Sequence, residues 1–243
     1  MRNTAFGLFT RKKEILLAKE HLSPRNAQRL RLFDAYRGRG HRNNNLFLVY
    51  SVKTDQDWVL PGDRHLVHWI YYLETDPEVK TFDFTSAYER DSDRFWVVDV
   101  IRSNGTRINH QIGRGAGEGG EATQLQKDPS SDNASRLENR VFTDEDFEPH
   151  VKVSLRWLKP IGFATALRNH EYPHQTLILL DYFKQRKNGD IGQILSNPDV
   201  CKYEPALILG LIARLAIRGH IQLDLTVNSF GYRTPWIWSI KEH

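Results

Sequence analysis

The sequence predicts an α+β protein in two parts: a mixed-sheet domain over residues 1–168 and a compact helical domain with a β-hairpin over residues 169–243. Three observations predict this division. Helix and strand patterns alternate in the first part, turn-forming residues break the chain at 169–173, and short helices with a final hairpin follow. At 243 residues, the chain is long enough for each part to bury its own core.

The composition is that of an ordinary globular protein, with 40% hydrophobic and 26% charged residues. No window approaches the run of about 18 apolar residues that a membrane span needs. The first residues lack the apolar core of a signal peptide, so we expect an unsecreted, cytoplasmic protein without a membrane partner. The single cysteine, Cys201, cannot pair within the chain, and its position beside Val200 predicts a small core residue.

In the first part, hydrophobic periodicity and turn residues define the elements. A helix interrupted at Ser23-Pro24 is predicted at residues 16–32, and a second helix at 66–74 ends at Asp76-Pro77. The predicted strands are 46–52, 79–84, 94–101 and 106–112. Asn104-Gly105 predicts a hairpin turn between the last two strands. The glycine-rich run 113–120 predicts a long loop, and Thr143 is expected to cap a helix that extends to about Leu158.

The second part has the order of a winged helix. The predicted helices are 174–187, 190–195 and 204–218, and the predicted strands are 220–225 and 234–240. Three helices followed by a β-hairpin are typical of this helix-turn-helix variant. From Pro205 to Arg218 the third helix carries only Arg214 and Arg218 as charged residues, which favours protein docking or phosphate contact over base reading. Lys202, Arg214, Arg218 and Arg233 are the predicted contact residues of this domain.

Positive charge is concentrated at the N-terminus. Residues 1–42 hold 11 Lys+Arg against 3 Asp+Glu, residues 43–167 hold 14 against 20, and residues 168–243 hold 9 against 7. Arginines flank glycines in the densest part, so the backbone there can approach a phosphate chain closely. A DNA contact and a solvated basic helix with a turn remain equally open interpretations. The candidate DNA-binding residues are Arg29, Arg31, Arg37, Arg39, His41 and Arg42.

Two patterns bear on metal chemistry. His65 and His68 stand three residues apart on the predicted helix, a spacing that can place two imidazoles on one metal, but no further ligand stands at the usual offset. Metal-dependent phosphodiester cleavage instead needs hard oxygen ligands, which restriction-type nucleases arrange on a helix and two adjacent strands. The chain has that helix and those strands in order. No metal site and no cofactor are predicted, except Mg²⁺ or Mn²⁺ if a nuclease centre is present.

Several segments, in order along nearly the whole chain, resemble the TnsA family, the endonuclease subunit of heteromeric transposases in bacterial cut-and-paste transposons. The resemblance implies a restriction-endonuclease-like (PDDEXK-type) domain at 1–168, a winged-helix domain at 169–243, and a role in DNA recombination by a mobile genetic element. It also implies a transposase subunit and an AAA+ ATPase as partners, besides DNA. The segments that carry it are residues 37–42, 60–82, 94–98 with 104–105, 142–149 with 155–158, and 218–225.

The positions that the resemblance assigns to catalysis lack the required groups. The family's helix glutamate aligns with Leu66, its strand aspartate with Arg94, and its Gln/Glu-x-Lys motif with Asn109 and Gln111 around His110. Leu66 offers no oxygen, and Arg94 would place a positive charge where a divalent cation sits. The sequence therefore predicts a catalytically inactive pseudo-endonuclease that binds DNA and docks its transposition partners.

Two other functions remain open. A one-residue shift of the alignment would restore Asp93, and Asp99, Glu74, Asp83 or Lys80 would then contribute to a migrated nuclease site that uses Mg²⁺ or Mn²⁺. The second alternative is a winged-helix DNA-binding regulator or adaptor that is unrelated to transposition, with the first domain serving oligomerisation.

Overall fold

A computed structural model describes residues 45–60, 62–84, 95–113 and 138–239. The predicted helix at 16–32, the candidate DNA-binding residues of 29–42, Asp93, Arg94 and residues 114–137 lie outside the described residues. The sheet-forming region contains β1 (Phe47–Ser51), β2 (Gln56–Leu60), α1 (Asp63–Val67), a π-helical segment (His68–Glu74), β3 (Val79–Asp83), β4 (Phe95–Arg102), β5 (Arg107–Gly113) and β6 (Glu138–Phe142).

The region after β6 is mainly helical. Its elements are α2 (Asp144–Phe147), a 3₁₀ turn (Glu148–His150), α3 (Val151–Ala166), α4 (Pro173–Arg186), β7 (Asn188–Asp190), α5 (Ile191–Leu195), α6 (Pro205–Ile217), β8 (Ile221–Leu223) and β9 (Pro235–Trp238). Within the described part of the chain, no helix is both long and apolar enough to cross a membrane.

The strands described here form three sheets, which makes the architecture a mixed α/β one. β1 and β2 form an antiparallel pair, and the largest sheet has the order β3-β4-β5-β6. In that sheet β5 pairs antiparallel with β4 and parallel with β6. The Asn104-Gly105 turn lies between β4 and β5, and Gly105 has a φ of +83°, a conformation that glycine adopts without strain. The third sheet has the order β7-β9-β8.

The π-helical segment packs on one face of the largest sheet. Its Ile70 and Leu73 are fully buried, and on β4 the alternate residues Val98 and Val100 are buried on the same core face. His68 identifies that face, because its ring lies against His110 of β5. Side chains alternate along a strand, so every second residue of β4 and β5 faces this segment and the rest face away.

Helix α6 packs closely on helix α3. A Cβ atom at Gly210 of α6 would lie 2.6 Å from Leu167 Cδ1 and 2.9 Å from the Phe163 carbonyl oxygen, so only glycine allows this approach. Arg156 of α3 also donates hydrogen bonds to the carbonyls of Leu225 and Thr226. Residues Leu46–His243 belong to one compact unit. The contacts between α3 and the region of α6 cross the predicted domain boundary at 168/169, and the division into two domains stays a prediction.

Most predicted elements of the described region are confirmed within a few residues: the strands at 46–52, 79–84, 94–101 and 106–112, and all helices and strands after Asn169. The helix that begins near Thr143 continues through a 3₁₀ turn to Ala166 instead of ending near Leu158. Strands β2, β6 and β7 and the π-helical winding were not predicted. The prediction that Cys201 is a core residue is wrong: Cys201 is exposed in a surface turn, and Val200 takes the buried position.

Candidate functional site

The sheet face that the π-helical segment covers holds a pair of buried histidines. His68 Nε2 lies 3.1 Å from His110 Nδ1, so one imidazole donates a hydrogen bond to the other. The ring centroid of Phe142 lies 4.8 Å from the centroid of each imidazole, and Arg140 lies over the Phe142 ring. We call His68, His110 and Phe142 the histidine cluster. It lies between the π-helical segment and strands β5 and β6.

Both imidazoles of the histidine cluster are held neutral. Burial, together with the positive charges of Arg140 and Arg102, lowers the pKa of His110 to about 3. Burial also lowers the pKa of His68 well below its usual value, and the nearby His110 and Arg140 add to this effect. The Nδ1 atom of His68 is buried without a hydrogen-bond partner among the described residues. The pair is therefore a packed, uncharged contact, and protonation of either ring is unfavourable.

The aligned catalytic positions do not meet at this place. Leu66 is 7% exposed and belongs to the hydrophobic core. Asn109 and Gln111 flank His110 on β5, so their side chains project from the opposite face of the sheet. Asn109 and Gln111 therefore lie on the other face, and the side chains of β5 that face the helix are His110 and the apolar Ile108 and Ile112. Because Mg²⁺ and Mn²⁺ prefer oxygen ligands, these residues do not fit either ion.

Glu74, a candidate for a migrated site, is held by structural hydrogen bonds. Its side chain is fully buried and accepts hydrogen bonds of 2.6 Å from Ser51 Oγ and 2.6 Å from the Val52 backbone N–H. Burial raises the pKa of Glu74 to about 7, and these two donors lower it only in part. The carboxyl group thus ties the end of the π-helical segment to the β1–β2 turn, and it is closed to a metal ion.

The other migrated candidates that the structure describes lie elsewhere. Asp99 of β4 is paired in register with Asp83 of β3 and with Asn109 of β5. This row projects from the sheet face away from the histidine cluster, and Lys80 of β3 is exposed. In residues 45–60, 62–84, 95–113 and 138–239, no group of three or more His, Cys, Asp or Glu side chains is placed to hold a metal ion.

A second candidate site is an open groove of about 1110 Å³ between the sheet-forming region and the C-terminal region. One wall comes from the β1–β2 hairpin and β3, and the other from the chain between α3 and α4, the end of α6 and the end of β9. Five Lys or Arg and two Asp or Glu side chains line it. We call it the basic groove, and its charge is typical of a surface for anionic ligands.

Several charged groups of the basic groove are held in place by neighbours. Lys53 Nζ donates a 2.9 Å hydrogen bond to the Leu73 carbonyl. Arg168 is paired with Asp57 at 3.6 Å. The Tyr50 hydroxyl donates a hydrogen bond to Asp55, and burial together with this carboxylate raises the pKa of Tyr50 to about 12. These contacts fix the walls of the groove.

One predicted contact residue, Arg214, is a buried structural side chain. It is 8% exposed, and its guanidinium donates hydrogen bonds to the carbonyl oxygens of Leu167 and His170, where the Nη1 to His170 O distance is 2.6 Å. These carbonyls follow α3, whose C-terminal carbonyls lack partners within the helix. The prediction that Arg214 makes surface contacts is therefore corrected: it positions the segment that carries Arg168 and His170 into the groove.

The other predicted contact residues of the C-terminal region are exposed but separated. Arg218 lines the basic groove. Lys202 lies over the Tyr203 ring, 5.5 Å from its centroid, and Arg233 is exposed near the start of β9; neither lines the groove. Sequence reasoning missed the groove, because its lining comes from distant segments. One feature of the sequence pointed to the groove: Arg214 and Arg218 are the two charged residues at the end of an otherwise apolar helix.

No protein-family model matches this chain, and neither a curated protein nor a solved structure matches it.

Proposed function

We propose that this chain is a DNA-binding subunit of the TnsA type whose nuclease centre is lost. It combines a restriction-endonuclease-like domain over 1–168 with a winged-helix domain over 169–243. Its role in transposition is to hold DNA and to dock a transposase subunit and an AAA+ ATPase, as the resemblance implies. The observation that carries the loss of cleavage is the histidine cluster.

The arrangement of elements supports both proposed domains. A helix precedes a sheet of three antiparallel strands with a fourth strand added in parallel, and the helix covers one face of that sheet. This is the framework on which a helix and two adjacent strands present catalytic groups in restriction-type nucleases. In the C-terminal region the order α4-β7-α5-α6-β8-β9, with sheet order β7-β9-β8, is the order expected of a winged helix.

The chemistry between helix and sheet argues against cleavage. A nuclease of this kind needs carboxylates to hold the metal ion and a cation beside the attacking water. Here His68 and His110 occupy that place as neutral, mutually hydrogen-bonded rings. Glu74 is committed to the β1–β2 turn, and Asp99 projects from the other face. A migrated site would therefore have to form on a sheet face that the helix does not cover.

The third helix of the proposed winged helix argues against base reading. In α6 every residue from Gly210 to Ile217 is buried, including Arg214. A helix that reads the major groove must expose polar side chains to base edges. We therefore assign duplex contact to the phosphate backbone, through the basic segment at 29–42. The exposed residues of α6, Pro205 and Ala206, lie in its first turn.

Exposed apolar side chains supply a different surface for partner docking. Leu155 of α3 is 56% exposed and Val227 is 73% exposed. Arg156, next to Leu155, bonds the carbonyls of Leu225 and Thr226, which brings the α3 surface beside the loop that carries Val227. Exposed apolar residues of this kind are common in protein interfaces.

The basic segment provides the test of this function. Replacing Arg37, Arg39 and Arg42 together by Gln should weaken duplex DNA binding at least about tenfold, because three phosphate contacts are lost. The slope of log affinity against log salt should flatten by about 2 to 3 units. The matched control replaces Arg11, Lys12 and Lys13 by Gln, which removes the same charge from the same terminal region. Fluorescence anisotropy over a salt series measures both.

Equal losses in the two triple variants would show a general charge effect and would contradict the assignment to residues 37–42. Unchanged affinity in the Arg37, Arg39 and Arg42 variant would also contradict it. A strong preference for one operator sequence in a binding selection would instead favour a winged-helix regulator.

A further inference from the structure

The basic groove is too large and too open for a typical small-molecule site. Its volume of about 1110 Å³ lies above the usual range of about 300–1,000 Å³ for ligand pockets. Its walls are formed by segments far apart in sequence, from the β1–β2 turn to the last strand. A groove of this kind accommodates a segment of a polymer.

Two cations of the groove are available to an anionic ligand. Lys80 and Arg218 are both exposed, and within the part of the chain that the structure describes neither forms an ion pair. Burial lowers the pKa of the Arg214 guanidinium, and the nearby charge of Arg218 lowers it further. Two neighbouring guanidinium groups repel one another, and a bound phosphate relieves this repulsion.

The groove also contains an aromatic surface. Trp238, at the end of β9, lines it and is partly exposed, whereas Trp236 on the same side of the strand is buried in the core. The Trp238 backbone N–H donates a 2.6 Å hydrogen bond to the Lys187 carbonyl, which fixes the residue at the groove wall. A rigid, partly exposed indole beside cations is the combination on which unpaired bases stack.

We infer that the basic groove binds single-stranded nucleic acid, with phosphates on Lys80 and Arg218 and a base stacked on Trp238. A duplex keeps its bases stacked on one another, so it cannot use the Trp238 ring. An acidic peptide would use the cations and leave the indole without a stacking partner. The inference deepens the proposed DNA-binding function and rests on it, but its residues lie outside the basic segment at 29–42.

The experiment measures binding of the full chain to a labelled single strand of about 12 nucleotides, within the range of known single-strand sites. Separate measurements with single-stranded DNA and single-stranded RNA show which of the two nucleic acids the groove prefers. Arms with the matching duplex and with an acidic peptide test the class of ligand. Tryptophan fluorescence, read in wild type and in Trp238→Leu, reports whether a base contacts Trp238.

Lys80→Glu with Arg218→Glu should weaken single-strand binding by at least about tenfold, because two phosphate contacts become repulsive. Trp238→Leu should weaken it by about five- to a hundredfold, the range for one stacked base. The matched control, Lys152→Glu with Lys184→Glu, reverses two exposed charges outside the groove and should stay within about twofold. The neutral pair Lys80→Gln and Arg218→Gln repeats the test with less risk to folding.

Tighter binding of either single strand than of the duplex, with loss in the groove variants, supports the inference. Equal loss in the control pair, or no effect of Trp238→Leu, overturns it. Duplex or acidic-peptide binding with the same sensitivity to the groove variants also overturns it. The variant of Arg37, Arg39 and Arg42 separates the two proposals. Suppose that this variant binds the duplex as wild type does, and that the groove variants lose the single strand. Then the assignment of duplex contact to residues 29–42 fails, and the assignment of single-strand binding to the groove stands.

Discussion

The histidine cluster and the basic groove belong to one compact unit but differ in burial and in charge. The cluster is buried and neutral: His68 Nε2 and His110 Nδ1 lie 3.1 Å apart, and both rings are packed against Phe142. The groove is open and positively charged, and Lys80 and Arg218 face solvent there. The histidine cluster is part of the core, whereas the exposed charge of Lys80 and Arg218 lies on the surface of the groove. We therefore expect the stability of the protein and the proposed ligand binding to be separable.

The largest effect that separates the two regions is expected from Phe142→Ala. Phe142 is fully buried and touches the rings of Tyr72, His68 and His110. Removing its ring leaves a cavity, so the free energy of unfolding should fall by about 3 to 5 kcal/mol. Chemical denaturation measures this loss, and oligonucleotide affinity of the folded variant should stay within about twofold of wild type.

The neighbouring Val141 provides the control for that substitution. It lies on the same strand and is 46% exposed, so Val141→Ala should change stability by no more than about 0.5 kcal/mol. A loss below about 1 kcal/mol in Phe142→Ala would show that the cluster does not hold the sheet to the helix. A parallel loss of oligonucleotide binding would show that the two regions are coupled.

A smaller effect is expected from pH. The pKa of His110 falls from an ordinary 6.5 to about 3 on folding, so the unfolded chain binds a proton between these values and the folded chain does not. The contribution of His110 to stability should therefore fall as pH decreases below about 6.5. His110→Asn removes this group, and its stability should decline less steeply between about pH 6 and pH 4, by about 1 kcal/mol per pH unit.

Glu74 acts in the opposite direction and serves as an internal reference. Its folded pKa of about 7 lies above the ordinary 4.5, so its contribution is present below about pH 4.5 and is lost as pH rises through about 7. Because wild type and His110→Asn share this group, the difference between their denaturation curves isolates the histidine. Identical pH slopes in the two proteins would contradict the assignment of a buried neutral pair.

Local sequence patterns predicted most elements, and the missed ones depend on distant pairing. Asn104-Gly105 predicted the hairpin between β4 and β5 because tight hairpin turns favour this pair of residues. In contrast, β7 consists of Asn188, Gly189 and Asp190, which predict a turn and become a strand only through pairing with β9. Strand β6 begins with exposed polar residues and is defined by its parallel neighbour β5.

The candidate site was predictable only in part, for the same reason. His65 and His68 stood out on the helix, but their sequence gives no sign that His68 meets His110 across 42 positions. The alignment assigned Asn109 and Gln111 to catalysis, and a shift of one residue on a strand reverses the face that a side chain occupies. The charge of Arg214 suggested a surface role. In the structure its buried guanidinium donates hydrogen bonds to the backbone carbonyls that follow α3.

The most direct test of the central claim is to incubate the purified full chain with labelled linear and branched DNA, with Mg²⁺ or Mn²⁺ and with EDTA. Denaturing and native gels then show cleavage and binding in parallel. The account predicts retarded DNA that stays uncut under every condition. Cleavage that requires the metal ion, disappears in EDTA and is abolished by Asp99→Asn in a folded protein would contradict it and would establish a migrated nuclease site.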